Sequence, residues 1–224
     1  YLSDFFNVFR SMRQGCGLSA LLYVLCIEPL AHRFRNSMDI QGIRLPGCSE
    51  EFRISLFADD TTTASADVDS ANRGIQLFDK FSAASGAALN KSKCVALVLG
   101  GRINTADLPT WLPIKSNIKI CGVIFGKDMV AENEAAILPK ITTAVRLNQG
   151  RALTLRGRVT VLNVVICAKL WYVGACICFS NGFLTSVDKL LFSFLSKARW
   201  VNRHTLLLPP LEGGLGVYCI TARL

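Results

Sequence analysis

Two β-rich runs, Phe52–Ala58 (FRISLFA) and Thr61–Ala66 (TTTASA), are separated only by Asp59 and Asp60. Runs linked so tightly read as an antiparallel hairpin, although the apex lacks the Asn-Gly or Asp-Gly of the commonest two-residue turns. It carries two adjacent carboxylates instead. Crowded like charges are costly when buried together, and a divalent cation between them removes that cost. Hard oxygen ligands suit Mg²⁺, which takes one or two carboxylates and fills its shell with water and substrate phosphates. Two such ions, roughly 3.5–4 Å apart, would stabilise the attacking and leaving oxygens of a phosphoryl transfer. Taken alone, an Asp-Asp in a polar turn also fits a solvated loop.

Around this hairpin the patterning is mixed. The spacing predicts a strand over 5–13, then a buried helix from Leu18 to Phe34 interrupted near Pro29. From Asp69 to Ser85, Ala71, Ile75, Phe78 and Phe81 fall on one helical face, with Gly86 placed as C-cap. Leu89–Leu99 contains VALVL, a strand pattern, and Ile118–Gly126 (IKICGVIFG) is a second hairpin candidate. Beyond Lys127 the character turns helical, roughly over 131–150, 155–179 and 183–200, ahead of the Gly-rich 212–216. These patterns give an α+β chain with a boundary near residue 127.

Composition narrows the partners. The 224 residues are 51% apolar, enough for a real core, and 25 Lys and Arg against 16 Asp and Glu give +9. That excess suits a polyanion, either nucleic acid or an anionic membrane surface. Between Glu134 and Asp188 there is no acid, while Lys140, Arg146, Arg151, Arg156, Arg158 and Lys169 all fall there. A basic, mostly helical surface of that kind tracks a phosphate backbone, or is a solvated face. The nine Cys are odd in number and scattered, with no CxxC and only two His. This argues against a disulfide scaffold and gives zinc little to bind. Cys176 and Cys178 lie in an apolar run and read as buried thiols, and the whole set points to a reducing compartment, nucleus or cytoplasm.

Val159–Phe179 has 17 apolar residues of 21, long enough to span a bilayer. Lys169 at its centre would cost about 2.5–3.5 kcal/mol there, and a buried core helix explains the run without that cost. No stable membrane association is expected.

The order RQGCGLSALLYVLCIEPL, FADD, SGAALNKSK, IKICGVIFG resembles the palm of a reverse transcriptase from non-LTR (LINE-type) retrotransposons. LTLRGRVTVLNVVICAKLWY followed by LPPLEGGLG resembles the region after the palm in the Tx1/L1-like branch. The resemblance runs along nearly the whole chain. It implies an incomplete right-hand palm over 1–126 and a helical thumb-like region over 127–224. It also implies an RNA-directed DNA polymerase that acts on RNA template, DNA primer or RNA–DNA hybrid, and deoxynucleotides.

Asp59 and Asp60 then match the metal-binding aspartates, with Asp59 the stronger candidate for direct contact with Mg²⁺. Phe57 matches the aromatic beside the primer end. Arg13, Gln14 and Gly15 match the loop against the nascent pair and incoming nucleotide. Lys93 aligns with a basic residue that could act on the leaving pyrophosphate, with Lys91 as the alternative. Gly122 and Gly126 lie in the hairpin that grips the primer, and Arg156 and Arg158 in the duplex-holding helices.

Two departures matter. Gly17 and Ala20 replace prolines of the family's Arg-Gln-Gly motif, which removes rigidity where the helix begins. The family's third catalytic carboxylate lies well upstream of that motif, whereas Asp4 is the sole acid before Arg13 and reads as a turn residue. The expectation is an under-coordinated metal site and little polymerisation by this chain alone. A non-catalytic nucleic-acid-binding remnant is the alternative reading.

Overall fold

Residues 16–100, 104–195 and 202–223 are described by the computed structural model, in which the chain divides into two units, Tyr1–Lys115 and Ser116–Leu224. That division falls earlier than the expected boundary near 127. The cause is local: the second hairpin packs onto the helix that follows it, where Val123 joins Ile137 and Ile141 in one core.

In the first unit, α1 spans Ser19–Arg35, with Pro29 inside it, and α2 spans Val68–Ser85. Three antiparallel ladders are present among the described residues. Two are in this unit: β1 (Ile43–Arg44) with β2 (Glu51–Phe52), and β3 (Ile54–Phe57) with β4 (Asp60–Thr63). α2 begins one residue before the expected Asp69 and ends at the expected Ser85. The Asp67 carboxylate accepts the Ser70 N–H at 2.6 Å, and Gly86 closes the helix at φ 74°.

Its apolar face packs Phe78 and Phe81 against a small core of Leu30, Ala31, Phe34, Ile40 and Ile54, with the Phe34 and Phe78 rings 5.3 Å apart and tilted. Glu51 ties the β1–β2 ladder to its surroundings. The Gly42 N–H and then the Arg53 and Arg44 guanidinium groups hold its carboxyl below the usual range. The N-terminal half of α1 packs less well: Leu18, Leu21 and Leu25 are 56%, 63% and 69% exposed.

The strand expected over Leu89–Leu99 shrinks to one parallel bridge, Ala96 with Ile114. Ala96 donates to the Pro113 carbonyl and accepts from Lys115, and Pro113 has no N–H with which to extend the ladder.

The second unit opens with β5 (Asn117–Ile120) and β6 (Val123–Gly126), followed by α3 (Met129–Gln149). The helix expected over 155–179 is composite: α4 (Leu155–Val161), a π-helical turn (Leu162–Ile166) and α5 (Ala168–Gly174). Along it Val159, Leu162, Ile166, Leu170 and Val173 form one buried stripe, at the spacing of a soluble amphipathic helix. The run Leu155–Gly174 could cross a membrane by length and composition, yet Lys169 and Val164 on its other faces are exposed.

α6 (Asn181–Leu195), α7 (Arg203–Leu207), a 3₁₀ turn (Pro210–Glu212) and α8 (Ile220–Arg223) complete the unit. Asn163 in the π turn donates to Gly216 O at 2.8 Å and accepts from Tyr218 N at 3.1 Å, fastening the Gly-rich segment. Cys176 and Cys178 are exposed rather than buried. The helix has stopped at Gly174, and beyond it alternate side chains turn inward, Ile177 and Phe179, leaving the two thiols outside.

Candidate active site

The β3–β4 register pairs Ile54 with Thr63, Ser55 with Thr62, Leu56 with Thr61 and Phe57 with Asp60. The two-residue loop is therefore Ala58-Asp59, one residue earlier than the sequence implies, and Asp60 is the first strand residue. Ala58 takes φ 51°, the positive φ that a II′-type loop asks of its first residue.

Strand alternation then sorts the side chains. Ile54 and Leu56 face the core, while Ser55, Phe57 and Asp60 lie on the opposite face. Phe57 is 67% exposed, and Asp59 and Asp60 are both exposed. Among the described residues neither carboxylate has a hydrogen bond or ion pair, so four oxygens are free for a cation, and Phe57 stands directly across from one of the two groups. No group of three His, Cys, Asp or Glu among the described residues could complete a metal site. The donors fit the chemistry of Mg²⁺, but only as part of its shell.

Arg13, Gln14 and Gly15 lie outside the described residues, as does Asp4. Lys93 sits in the turn after α2, where its N–H donates to Asn90 O, and its side chain is exposed. Nothing among the described contacts links it to the aspartates. Its rival Lys91 is occupied, with its ammonium 5.1 Å from the centre of the Trp111 ring. That leaves Lys93 as the freer of the two cations.

The β5–β6 hairpin is also a two-residue loop, Cys121-Gly122, with φ 46° and 91°. Positive φ at both positions is the I′ signature, which Gly122 satisfies without strain. Gly126 is required by crowding: a Cβ there would stand 2.4 Å from the Ser116 carbonyl oxygen.

Three side chains that the sequence reading missed hold this hairpin. Buried Asn133 accepts from Ile124 N at 3.0 Å and donates to Ile124 O and Met129 O, both at 2.7 Å. Glu132 accepts from Asn117, and the Tyr172 hydroxyl donates to Cys121 O at 2.6 Å, at the turn itself. The available signal was Asn133 standing in the stripe of Ile137, Ile141 and Val145, a polar residue where α3 needs an apolar one. Asn133→Ala is expected to cost about 2–3 kcal/mol, since it strands buried backbone groups. Urea titration of the helical signal checks the cost, and faster hydrogen exchange at the Ile124 amide checks its place.

Arg156 is exposed at the start of α4, with no ion pair among the described residues. Arg158 corrects the sequence reading. It is 2% exposed, and its guanidinium donates to Phe194 O at 3.0 Å, Gln149 O at 3.3 Å and Arg151 O at 3.5 Å. A group enclosed by carbonyls cannot also reach a phosphate backbone.

The sequence pattern of the reverse transcriptase (RNA-dependent DNA polymerase) family matches residues 2–125, more than half the chain and all of the β3–β4 hairpin. The chain belongs to the reverse transcriptase family. It is also 29% identical over 225 residues to the transposon TX1 uncharacterized 149 kDa protein of Xenopus laevis, which agrees with the Tx1-like motif order of a non-LTR element. That alignment covers 96% of this chain and 17% of the relative. A 58-residue stretch is 40% identical to an uncharacterized mitochondrial protein of Arabidopsis thaliana, covering 25% of this chain and 48% of that one. This reverse transcriptase segment thus spans about one sixth of the TX1 protein and about half of the plant protein.

Proposed function

We propose that this chain is the palm portion and thumb-like helical region of an RNA-directed DNA polymerase of a non-LTR retrotransposon. In its reaction a primer 3′-hydroxyl attacks the α-phosphate of a deoxynucleotide. The observation that carries the reading is the β3–β4 apex, where Phe57, Asp59 and Asp60 stand together and exposed, the two carboxylates without a hydrogen bond or ion pair among the described residues, inside the family's matched region.

Asp59 and Asp60 hold Mg²⁺, which when bound supplies charge stabilisation at the phosphoryl oxygens. Phe57 offers its exposed ring to the primer end. Lys93 stabilises or protonates the leaving pyrophosphate. The Cys121-Gly122 turn, braced by Tyr172 and Asn133, approaches the primer backbone, and Arg156 with the other exposed cations between 134 and 188, buried Arg158 excluded, holds the hybrid through phosphates. The reducing chemistry of nine free thiols fits a nuclear or cytoplasmic setting.

A second reading, a binding remnant without chemistry, draws on the lack of a third metal-ligating side chain among the described residues. Fluorescence anisotropy with a labelled RNA–DNA hybrid tests what both readings share. Binding is expected at low salt and should weaken steeply as salt rises, with a log–log slope set by the number of phosphates neutralised. A chain that leaves the hybrid free at low salt would sink the assignment.

A further inference from the structure

Cys176 and Cys178 stand closer in sequence than any other two of the nine thiols, and both are exposed. The backbone that carries them is fixed. Where α5 ends, Cys176 and Ile177 both donate their N–H groups to the Val173 carbonyl, at 2.9 and 3.0 Å. Ile177 and Phe179 are buried in the core of the second unit, and the Phe179 ring stacks on that of Phe183 at 4.9 Å. The Glu134 carboxylate accepts the Ser180 N–H at 2.6 Å, and the Ser180 hydroxyl accepts the Phe183 N–H at 3.2 Å where α6 begins. With Ile177 and Phe179 turned inward, the two thiols share the outward side, on Cα atoms no more than about 7 Å apart.

Two thiols held on one side of a fixed segment are a preformed chelate, and their surroundings decide what it can take. Thiolate sulfur is a soft donor that selects Cu(I), zinc or iron–sulfur clusters over hard cations. Structural zinc needs four ligands and an iron–sulfur cluster needs four thiolates, whereas no group of three His, Cys, Asp or Glu stands among the described residues. Cu(I), a closed-shell monovalent ion, is satisfied by two thiolates. Binding it releases both thiol protons and leaves a complex of net charge −1. The surroundings suit that charge. No acid lies in sequence between Glu134 and Asp188, and those two are committed to the Ser180 N–H and to Arg203. The Cys176 thiol donates to the Tyr172 carbonyl at 3.7 Å, a weak bond whose loss on deprotonation costs little.

We infer that Cys176 and Cys178 form a two-thiolate site for Cu(I) on the segment joining α5 to α6. Both sulfurs bind the ion, each thiol gives its proton to solvent, and no electron is transferred. The site is separate from the polymerase reading and does not depend on it.

The test titrates the reduced 224-residue chain with Cu(I) under anaerobic conditions, in competition with a coloured Cu(I) chelator. Cys176→Ser and Cys178→Ser are run beside it, with Cys48→Ser, an exposed thiol of the first unit, as comparator. Wild type is expected to hold one ion tightly. Joined ligands gain about 10²–10⁴-fold over single ones, so each of the first two variants should lose at least about 100-fold in affinity, while Cys48→Ser matches wild type. Because two protons leave, wild-type affinity should rise about 100-fold per pH unit below the thiol range, and only about tenfold in either single variant. Both thiols are exposed, so circular dichroism should show every variant folded as wild type is. A wild-type chain that holds no tight ion overturns the site. So does a folded Cys176→Ser or Cys178→Ser variant that binds as wild type does, or a Cys48→Ser variant that loses as much as they do. If a variant misfolds, the wild-type pH slope decides, and a release of one proton or none per ion overturns the pair.

Discussion

Replacing Arg158 with Ala is expected to destabilise the second unit by about 3–5 kcal/mol while leaving the salt dependence of nucleic-acid binding unchanged. The geometry explains why a fully buried guanidinium with no carboxylate is tolerated. Gln149 is the last residue of α3, where the helix leaves carbonyls unpaired, and the same guanidinium also meets the Phe194 carbonyl of α6. The C-terminal end of α3 carries partial negative charge, which offsets part of the desolvation of the cation. The Phe194 ring, 5.2 Å away, adds a cation–π contact.

Truncation removes all of this at once and leaves a cavity beside the Phe194 ring. Arg158→Lys should recover only part of the loss, because one ammonium cannot copy a planar fork reaching carbonyls on separate elements. Denaturant midpoints with salt titrations of hybrid binding decide the matter. A stable Ala variant with a flattened salt slope would show that Arg158 does meet phosphate, against the burial seen here.

How far the sequence could be read depended on whether the deciding interaction was local. α2 was legible to within one residue, since Gly86 and the Phe78–Phe81 face act locally, while its cap Asp67 went unread. The β3–β4 hairpin was legible to within one residue. The slip came from Ala58, whose positive φ nothing in the sequence announces, so that Asp-Asp looked like the apex. Phe57, Asp59 and Asp60 were legible as candidates because motif order placed them, and strand alternation then put Phe57 and Asp60 on one face.

What escaped was tertiary. VALVL has strand propensity, but its partner segment among the described residues carries a proline, leaving one bridge there. Arg156 and Arg158 look alike in sequence, and only the packing of α3 and α6 around one of them separates a surface cation from a buried one. Tyr172 and Asn133 brace a hairpin that begins 55 and 16 residues before them. Such long-range choices follow from packing rather than from propensity.

Asp59→Asn/Asp60→Asn is expected to abolish RNA-templated primer extension without harming the fold. The two carboxylates face solvent and stabilise nothing among the described residues, so removing them should change stability by less than about 0.5 kcal/mol, and relief of like-charge repulsion adds a small gain. Their loss in function should be out of proportion to that. Removing a group that merely orients a metal ligand costs 10–100-fold, so losing two direct ligands should cost more than about 100-fold in Mg²⁺-dependent extension. Neutral amides keep the shape of the hairpin and remove the charge, which ties the deficit to cation binding.

Primer extension by the wild-type and variant chains, with hybrid affinity measured beside it, separates the outcomes. Extension by wild type that vanishes in the variant, at unchanged hybrid affinity, assigns the chemistry to this pair. It would also show that a third ligand comes from within these 224 residues. Equal extension by both would remove Asp59 and Asp60 from the reaction. Hybrid binding without extension by either supports the binding-only reading, in which two carboxylates are too few to hold the ions that phosphoryl transfer needs.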